Sequence, residues 1–312
     1  MLFSSMETRR SAMKKHYFNF WSVLIFTLVI LTSSCKKDEI IHENLVIEDN
    51  TPPENNGIST LQLNNYINNI YIDLFGRAPT ESELQERGDY LRLNNFDEAA
   101  RENIIDEMML EYEYYKNINI LTNQKMLVDV DSITITYQIN LYEYFIYLNE
   151  LSGDTLFSPF YEYEIFKLEQ LMNAPIDIHS GSIGIDEYMK RFIYNFFYDE
   201  VNMGSLNFVV ACFENLLHRV PTDEELSDGI AMVDGASSQL FLIDGSSKED
   251  FISIITTHPE FYQGQVIEAF STLLAREPSP YEMNTYALQM MDENHFNNVK
   301  KIILQSEEYA GF

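Results

Sequence analysis

The 312-residue sequence predicts an all-α protein: a helical bundle of repeated three-helix units with a helical, aromatic-rich insert. Three observations carry this. First, one phrase is written three times, as Leu74-Phe75-Gly76-Arg77-Ala78-Pro79-Thr80, Leu216-Leu217-His218-Arg219-Val220-Pro221-Thr222 and Leu273-Leu274-Ala275-Arg276-Glu277-Pro278-Ser279. Internal repetition constrains architecture before any single residue does. Second, an apolar stripe with i, i+3, i+4, i+7 spacing leads into each copy: Ile67, Ile70, Tyr71 and Leu74, then Val209, Cys212, Phe213 and Leu216, then Val266, Ala269, Phe270 and Leu273. That spacing is one face of a helix. Third, each copy continues into Thr80-x-x-Glu83, Thr222-x-x-Glu225 or Ser279-x-x-Glu282. A hydroxyl followed three residues later by Glu is a capping box, which starts a new helix.

The first 34 residues read as an address. Lys14 and Lys15 form a basic region, Tyr17 to Leu31 an apolar one, and Thr32-Ser33-Ser34 a small-residue cleavage site before Cys35. The apolar stretch is shorter than the ~20 residues that span a bilayer. Met13-Lys14-Lys15 makes a more natural start than Met1. The pattern resembles a lipoprotein signal peptide, with Thr32 standing where an aliphatic residue is usual. The resemblance implies cleavage before Cys35 and lipid on its thiol. Lys36-Lys37-Asp38-Glu39 is then similar to the surface-export signal of Bacteroidota-type lipoproteins. Together these imply an outer-membrane, lipid-anchored protein displayed on the cell surface. Residues 35–58 form a tether, ending in the polar, breaker-rich Asn50-Thr51-Pro52-Pro53-Glu54-Asn55-Asn56-Gly57.

The whole chain carries 20 Lys+Arg against 49 Asp+Glu. Residues 1–34 hold four of the bases and one of the acids, so the remainder has 16 against 48, a net charge of −32. Such a surface repels nucleic acid, which demands a basic footprint. It repels anionic membranes too, leaving lipid as the only membrane contact. Beyond Cys35 only Cys212 remains, so there is no disulfide framework and the fold rests on its core.

The repeat elements follow in order. Residues 59–115 hold the first unit and 206–312 the second and third, whose arginines lie 57 residues apart. Gly76 is placed for a left-handed helix cap, and His218 and Ala275 in its register predict that this cap is confined to the first copy. Pro79, Pro221 and Pro278 stop the first helix of each unit. Pro280 suits the first position of a helix in copy three. Each unit closes on an aliphatic helix (Ile104-Ile105, Ile254-Ile255, Ile302-Ile303) with an acid and an aromatic at its end: Glu113-Tyr114, Glu260-Phe261, Glu308-Tyr309.

The insert, residues 116–205, predicts helices over 133–151, 160–173 and 185–200, with a loop from Ala174 to Gly184 around Pro175. Alternation across Val128 to Thr136 predicts a short strand. Nine Tyr and seven Phe lie between Tyr137 and Tyr198. Tyr142, Tyr144, Tyr147, Tyr161 and Tyr163 are the candidate binding residues, with Tyr194 and Tyr198 beside them, because flat amphipathic rings suit a glycan or a protein partner. The competing reading is a Tyr/Phe-rich core.

The Leu-Leu-x-Arg-x-Pro-Thr/Ser-x-x-Glu-Leu phrase, with its aliphatic helix and Glu-Tyr/Phe ending, resembles the phycobilisome-linker-like helical repeats of bacterial secreted and surface proteins. The likeness covers roughly 60–115 and 205–312. It implies a helical bundle acting in assembly or attachment, and it brings no catalytic residue.

Tests for chemistry point the same way. Arg77, Arg219 and Arg276 read as structural cations that bond the open carbonyls of the preceding helix end or the closing acids Glu113, Glu260 and Glu308. Cys212 sits in a register filled by Ile70 and Ala269, which marks a core thiol. His42, His179, His218, His258 and His295 have no metal-ligand spacing, so neither metal nor cofactor is expected. Asp129/Asp131, Asp234-Gly235 and Asp244-Gly245 complete no calcium loop, and the Asp-Gly pairs read as turns. The expectation is a non-enzymatic binding or structural component of a surface assembly, with a protein partner. The alternatives are a glycan-capturing surface lipoprotein and an envelope hydrolase using an acidic pair.

Overall fold

A computed structural model of the chain describes residues 57–293 and 296–312. Cys35, the Lys36-Lys37-Asp38-Glu39 signal, His42 and His295 lie outside the described residues. Within them the fold is all-α, with one two-stranded hairpin. No described helix is long and apolar enough to cross a membrane.

The first copy forms α1 (Thr60–Phe75), α2 (Glu81–Leu93), α3 (Glu98–Leu110) and α4 (Tyr112–Leu127). The insert continues as α5 (Ser132–Ser152), α6 (Ser158–His179), α7 (Ile185–Ile193) and α8 (Phe196–Val201). The second copy begins with α9 (Ser205–Cys212), whose end opens into a π-turn over Phe213–Leu217, and continues with α10 (Asp223–Val233). A hairpin, β1 (Ser238–Leu240) and β2 (Ile243–Gly245), leads to α11 (Lys248–Thr257). Then come α12 (Pro259–Leu274), α13 (Pro280–Glu293), α14 (Asn297–Gln305) and α15 (Glu307–Ala310).

The predicted cap asymmetry is overturned. Gly76, His218 and Ala275 all adopt the left-handed conformation, with φ of 70°, 53° and 51°. Gly76 has a second reason to be glycine: a Cβ there would lie 2.5 Å from Asn117 Oδ1. Asn117 donates Nδ2–H to Leu74 O at 3.1 Å, satisfying a carbonyl that the end of α1 leaves open. A non-glycine residue in the left-handed region costs about 1 kcal/mol. Ala275→Gly is therefore expected to stabilise the protein by about 0.5–1 kcal/mol, read as a rise of about 1–4 °C in Tm. A fall in Tm would contradict the strain argument.

Three further expectations are corrected. Val128 to Thr136 forms no strand: Val128 and Asp129 turn through the left-handed region, and Asp131 caps α5 by accepting the Thr134 amide. The alternation is a helix start misread as a pleat. The Ala174–Gly184 loop is shorter than expected, because α6 runs through Pro175 to His179. Burial of Leu168, Leu171, Ala174 and Ile178 along one face holds that helix together, and Arg191 donates to the Gln170 carbonyl beside the break in its ladder. The predicted 185–200 helix is two, with Asn195 between them accepting the Phe197 and Tyr198 amides.

The β-hairpin was not foreseen. Its turn places Phe241 and Leu242 at φ of 53° and 66° without the usual glycine or asparagine. Phe241 stacks flat on His258, with centroids 3.9 Å apart, which holds the turn. Asp244-Gly245 lies within β2, not in a turn, while Asp234-Gly235 ends α10.

One contiguous core runs from Leu63 to Ala310. A smaller one joins α12, α13 and α14 through Val266, Phe270, Met290 and Ile303. The last helices return to the first. Tyr66 donates to Leu304 O at 3.2 Å, Tyr114 to Asn297 Oδ1 at 2.8 Å, and the buried Arg101 to Gln305 O at 2.6 Å. Tyr309 hydrogen-bonds the Asp73 carboxylate.

Candidate functional site

The repeated arginines build three matching clamps. Arg77 Nε donates to Glu113 at 2.6 Å, while Nη1 and Nη2 each meet Glu83 at 2.9 Å. Arg219 repeats this with Glu260 at 2.7 Å and Glu225 at 2.8 and 2.6 Å. Arg276 does so with Glu308 at 2.6 Å and Glu282 at 3.1 and 2.9 Å. Each arginine also donates to the carbonyl of the following residue: Ala78, Val220 or Glu277. Each guanidinium lies over a ring in one register, Tyr71, Phe213 or Phe270, with its central carbon 5.4, 5.1 and 4.8 Å from the ring centre.

This geometry corrects two details. The guanidinium bonds none of the open carbonyls of the preceding helix end. The partner acid does not end the third helix either. Glu113, Glu260 and Glu308 sit in the first turns of α4, α12 and α15. All three capping boxes are present, with Thr80, Thr222 and Ser279 donating their amides to Glu83, Glu225 and Glu282 at 2.6, 2.7 and 2.7 Å. Each box Glu therefore serves the cap and the clamp at once. The arginine hydrogen bond holds Glu83, Glu225 and Glu282 at about 2, against burial that raises them. A guanidinium has five N–H donors, and Arg77 and Arg276 direct all five at protein oxygens. All three clamps are joints between helices; those at Arg77 and Arg276 keep no donor for a ligand, and Arg219 spends four of its five donors in the same way.

The candidate tyrosines divide. Tyr142 is 7% exposed and stacks on Tyr161, which is itself half-buried against the core. Tyr198 is fully buried, with its hydroxyl accepting from Asn215. Tyr144, Tyr147 and Tyr163 are exposed. Tyr144 and Tyr147 belong to a longer outward stripe on α5, with Ile133, Tyr137, Leu148 and Leu151. Phe157, which caps the start of α6, and Phe160, Phe166 and Ile176 within it are exposed too. The α5–α6 hairpin thus presents apolar side chains to solvent over much of its length.

Tyr163 lines a separate cleft of about 110 Å³ between α6, α7 and the start of α11. Tyr163 and Phe166 stack there, and the Lys167 ammonium lies 4.3 Å from the Tyr194 ring centre. Gln170, Glu187 and Glu249 supply hydrogen-bonding groups. Tyr194 was among the sequence candidates; Phe166 and Glu249 were not, since Glu249 comes from a helix more than fifty residues further on.

The remaining groups are structural. Cys212 is fully buried, and burial pushes its thiol up to about 12. His218 and Lys125 both meet Glu268, at 3.2 and 2.7 Å; burial alone would raise that carboxyl, but these partners hold it at about 2. Among the described residues no group of three or more His, Cys, Asp or Glu could hold a metal. No protein family, curated protein or solved structure matches the chain.

Proposed function

We propose that the chain is a cell-surface lipoprotein, anchored through Cys35, that acts without catalysis as a binding component of an envelope assembly. The observation that supports this most is the α5 stripe. Tyr137, Tyr144 and Leu151 repeat every seven residues and are 68%, 54% and 73% exposed. A continuous exposed apolar face of this kind marks an interaction surface. The partner is a protein with an apolar patch rimmed by Lys or Arg. Residues 132–179 carry seven acids against one lysine, so a basic rim complements them and a second copy of this chain would be repelled. The likeness to phycobilisome-linker-like repeats agrees with a role in assembly.

Photo-crosslinking from position 144 on intact cells tests this, together with pull-down by a Tyr144→Ser/Tyr147→Ser/Leu151→Ser variant. The expected result is a stoichiometric partner whose recovery falls at least about tenfold, with Tm within about 3–6 °C of the parent, since three surface substitutions of at most about ±0.5 kcal/mol each sum to about 1.5 kcal/mol. Unchanged recovery would remove the α5 face from the account. Protease shaving of the same cells tests surface display.

The cleft at Tyr163 supports a second reading, glycan capture. Stacked rings beside carboxylates and an amide suit a sugar's apolar face and hydroxyls. That reading expects saturable glycan binding that is lost in Tyr163→Ala and kept in the α5 variant.

A further inference from the structure

A cavity of about 190 Å³ lies among α4, α6, α7 and the turn that enters α5. Asn119 and Asn123, one turn apart on α4, line it. Their Oδ1 atoms are both buried without a hydrogen-bond partner. The orientation of Asn123 is fixed, because its Nδ2 donates to Val130 O at 2.7 Å, which leaves Oδ1 as an acceptor in need of a donor. Buried polar atoms are almost always satisfied, and two orphans at one cavity call for an explanation. Asp131 adds a carboxylate to the lining and Ser132 a hydroxyl. Ile135, Leu171 and Phe192 form an apolar wall.

A ligand that satisfies this lining must bring several donors, no acceptor that needs a partner, and a short apolar body. An ammonium group has three N–H donors and no acceptor. Two amide oxygens and one carboxylate match that number. A bare divalent cation fits less well, since calcium takes six to eight oxygens and the wall here is apolar. The size is suitable, because a dry cavity of about 150 Å³ already admits benzene. The surplus of negative charge concentrates cations around the chain.

We propose that this cavity binds a small primary amine, with its ammonium on Asn119, Asn123 and Asp131 and its hydrocarbon part against Ile135, Leu171 and Phe192. The site is independent of the α5 stripe and of the glycan cleft.

Calorimetric titration of the protein with n-butylamine, n-butanol, butyrate and calcium chloride tests it. The expected result is saturable butylamine binding, with butanol at least about tenfold weaker and no butyrate binding. Asn119→Leu/Asn123→Leu should weaken butylamine at least about tenfold. Asp131→Asn keeps a good helix cap and removes the charge, so it should weaken butylamine several-fold even if the double variant folds poorly. Equal binding of butanol and butylamine, tighter binding of calcium, undiminished binding by these variants, or no saturable heat from any probe (a cavity that holds water only) would each overturn the proposal.

Discussion

Gly264→Ala is expected to cost about 3 kcal/mol or more, read as a fall of about 6–12 °C in Tm. Gly264 lies inside α12, where alanine would ordinarily improve a helix. Here a Cβ would stand 2.1 Å from the carbonyl oxygen of Leu216, in the π-turn. The oxygen is backbone and the place of a Cβ is fixed by its own backbone, so neither can rotate away. The equivalent place in copy one holds Asn117, whose side chain reaches the Leu74 carbonyl. The two copies thus treat one helix end differently, by a side-chain bond in one and by close approach of a bare backbone in the other. Gly88→Ala in α2 is the control. Its Cβ would meet nothing closer than 3.5 Å, so it should gain up to about 1 kcal/mol. Equal effects at the two positions would show that propensity, not the contact, decides.

Arg219→Ala is expected to cost about 2–3 kcal/mol, between the values for exposed and buried ion pairs, because the clamp is about one-third exposed. The loss combines two carboxylates left facing each other, a capping box deprived of its anchor and a stacked ring uncovered. Arg219→Lys should recover only part, since an ammonium cannot make the paired contacts of a planar fork. The sign with pH follows from Glu225. Its folded pKa, about 2, lies below the unfolded one, so the clamp's contribution is complete above the ordinary carboxylate range and is lost as pH falls towards 2. Denaturation followed between pH 5 and pH 2 should therefore show parent and variant converging in stability. A constant gap across that window would place the effect outside the ion pairs.

The clamp was legible in outline because its parts are local and repeated. Arg, Pro, hydroxyl and Glu recur at fixed offsets, and each offset has one mechanical meaning in a helix–turn–helix. Where Glu113, Glu260 and Glu308 sit was harder to read, since an acid before an aromatic can end one helix or begin the next. The caps at His218 and Ala275 were hidden because glycine is the usual mark of a left-handed residue, while here a histidine and an alanine hold that conformation just before the clamp. The hairpin turn was hidden for a similar reason: Phe241 is fixed by a stack on His258, seventeen residues away, and not by turn chemistry. The α5 helix was legible in the sequence, but its outward stripe through Tyr137, Tyr144 and Leu151 was not. Periodicity says which residues share a face, and only tertiary packing decides whether that face turns in or out. Asn119 and Asn123 looked like any surface amides until four helices closed around them.

The return of the last helices onto the first bears on how the protein would carry force. Under the proposed anchoring through Cys35, load enters at the start of α1. That helix is laced along its side to distant parts of the chain, by Tyr66 to the Leu304 carbonyl and by Asp73 to Tyr309. Tension entering there must slide α1 past its neighbours and break several bonds together, rather than peel the structure open one bond at a time. Single-molecule pulling from the N-terminal side should accordingly give one high rupture peak with α1 and α14 releasing together, and Tyr66→Phe should lower it. A series of small, independent peaks would mean that the ends of the bundle do not share the load.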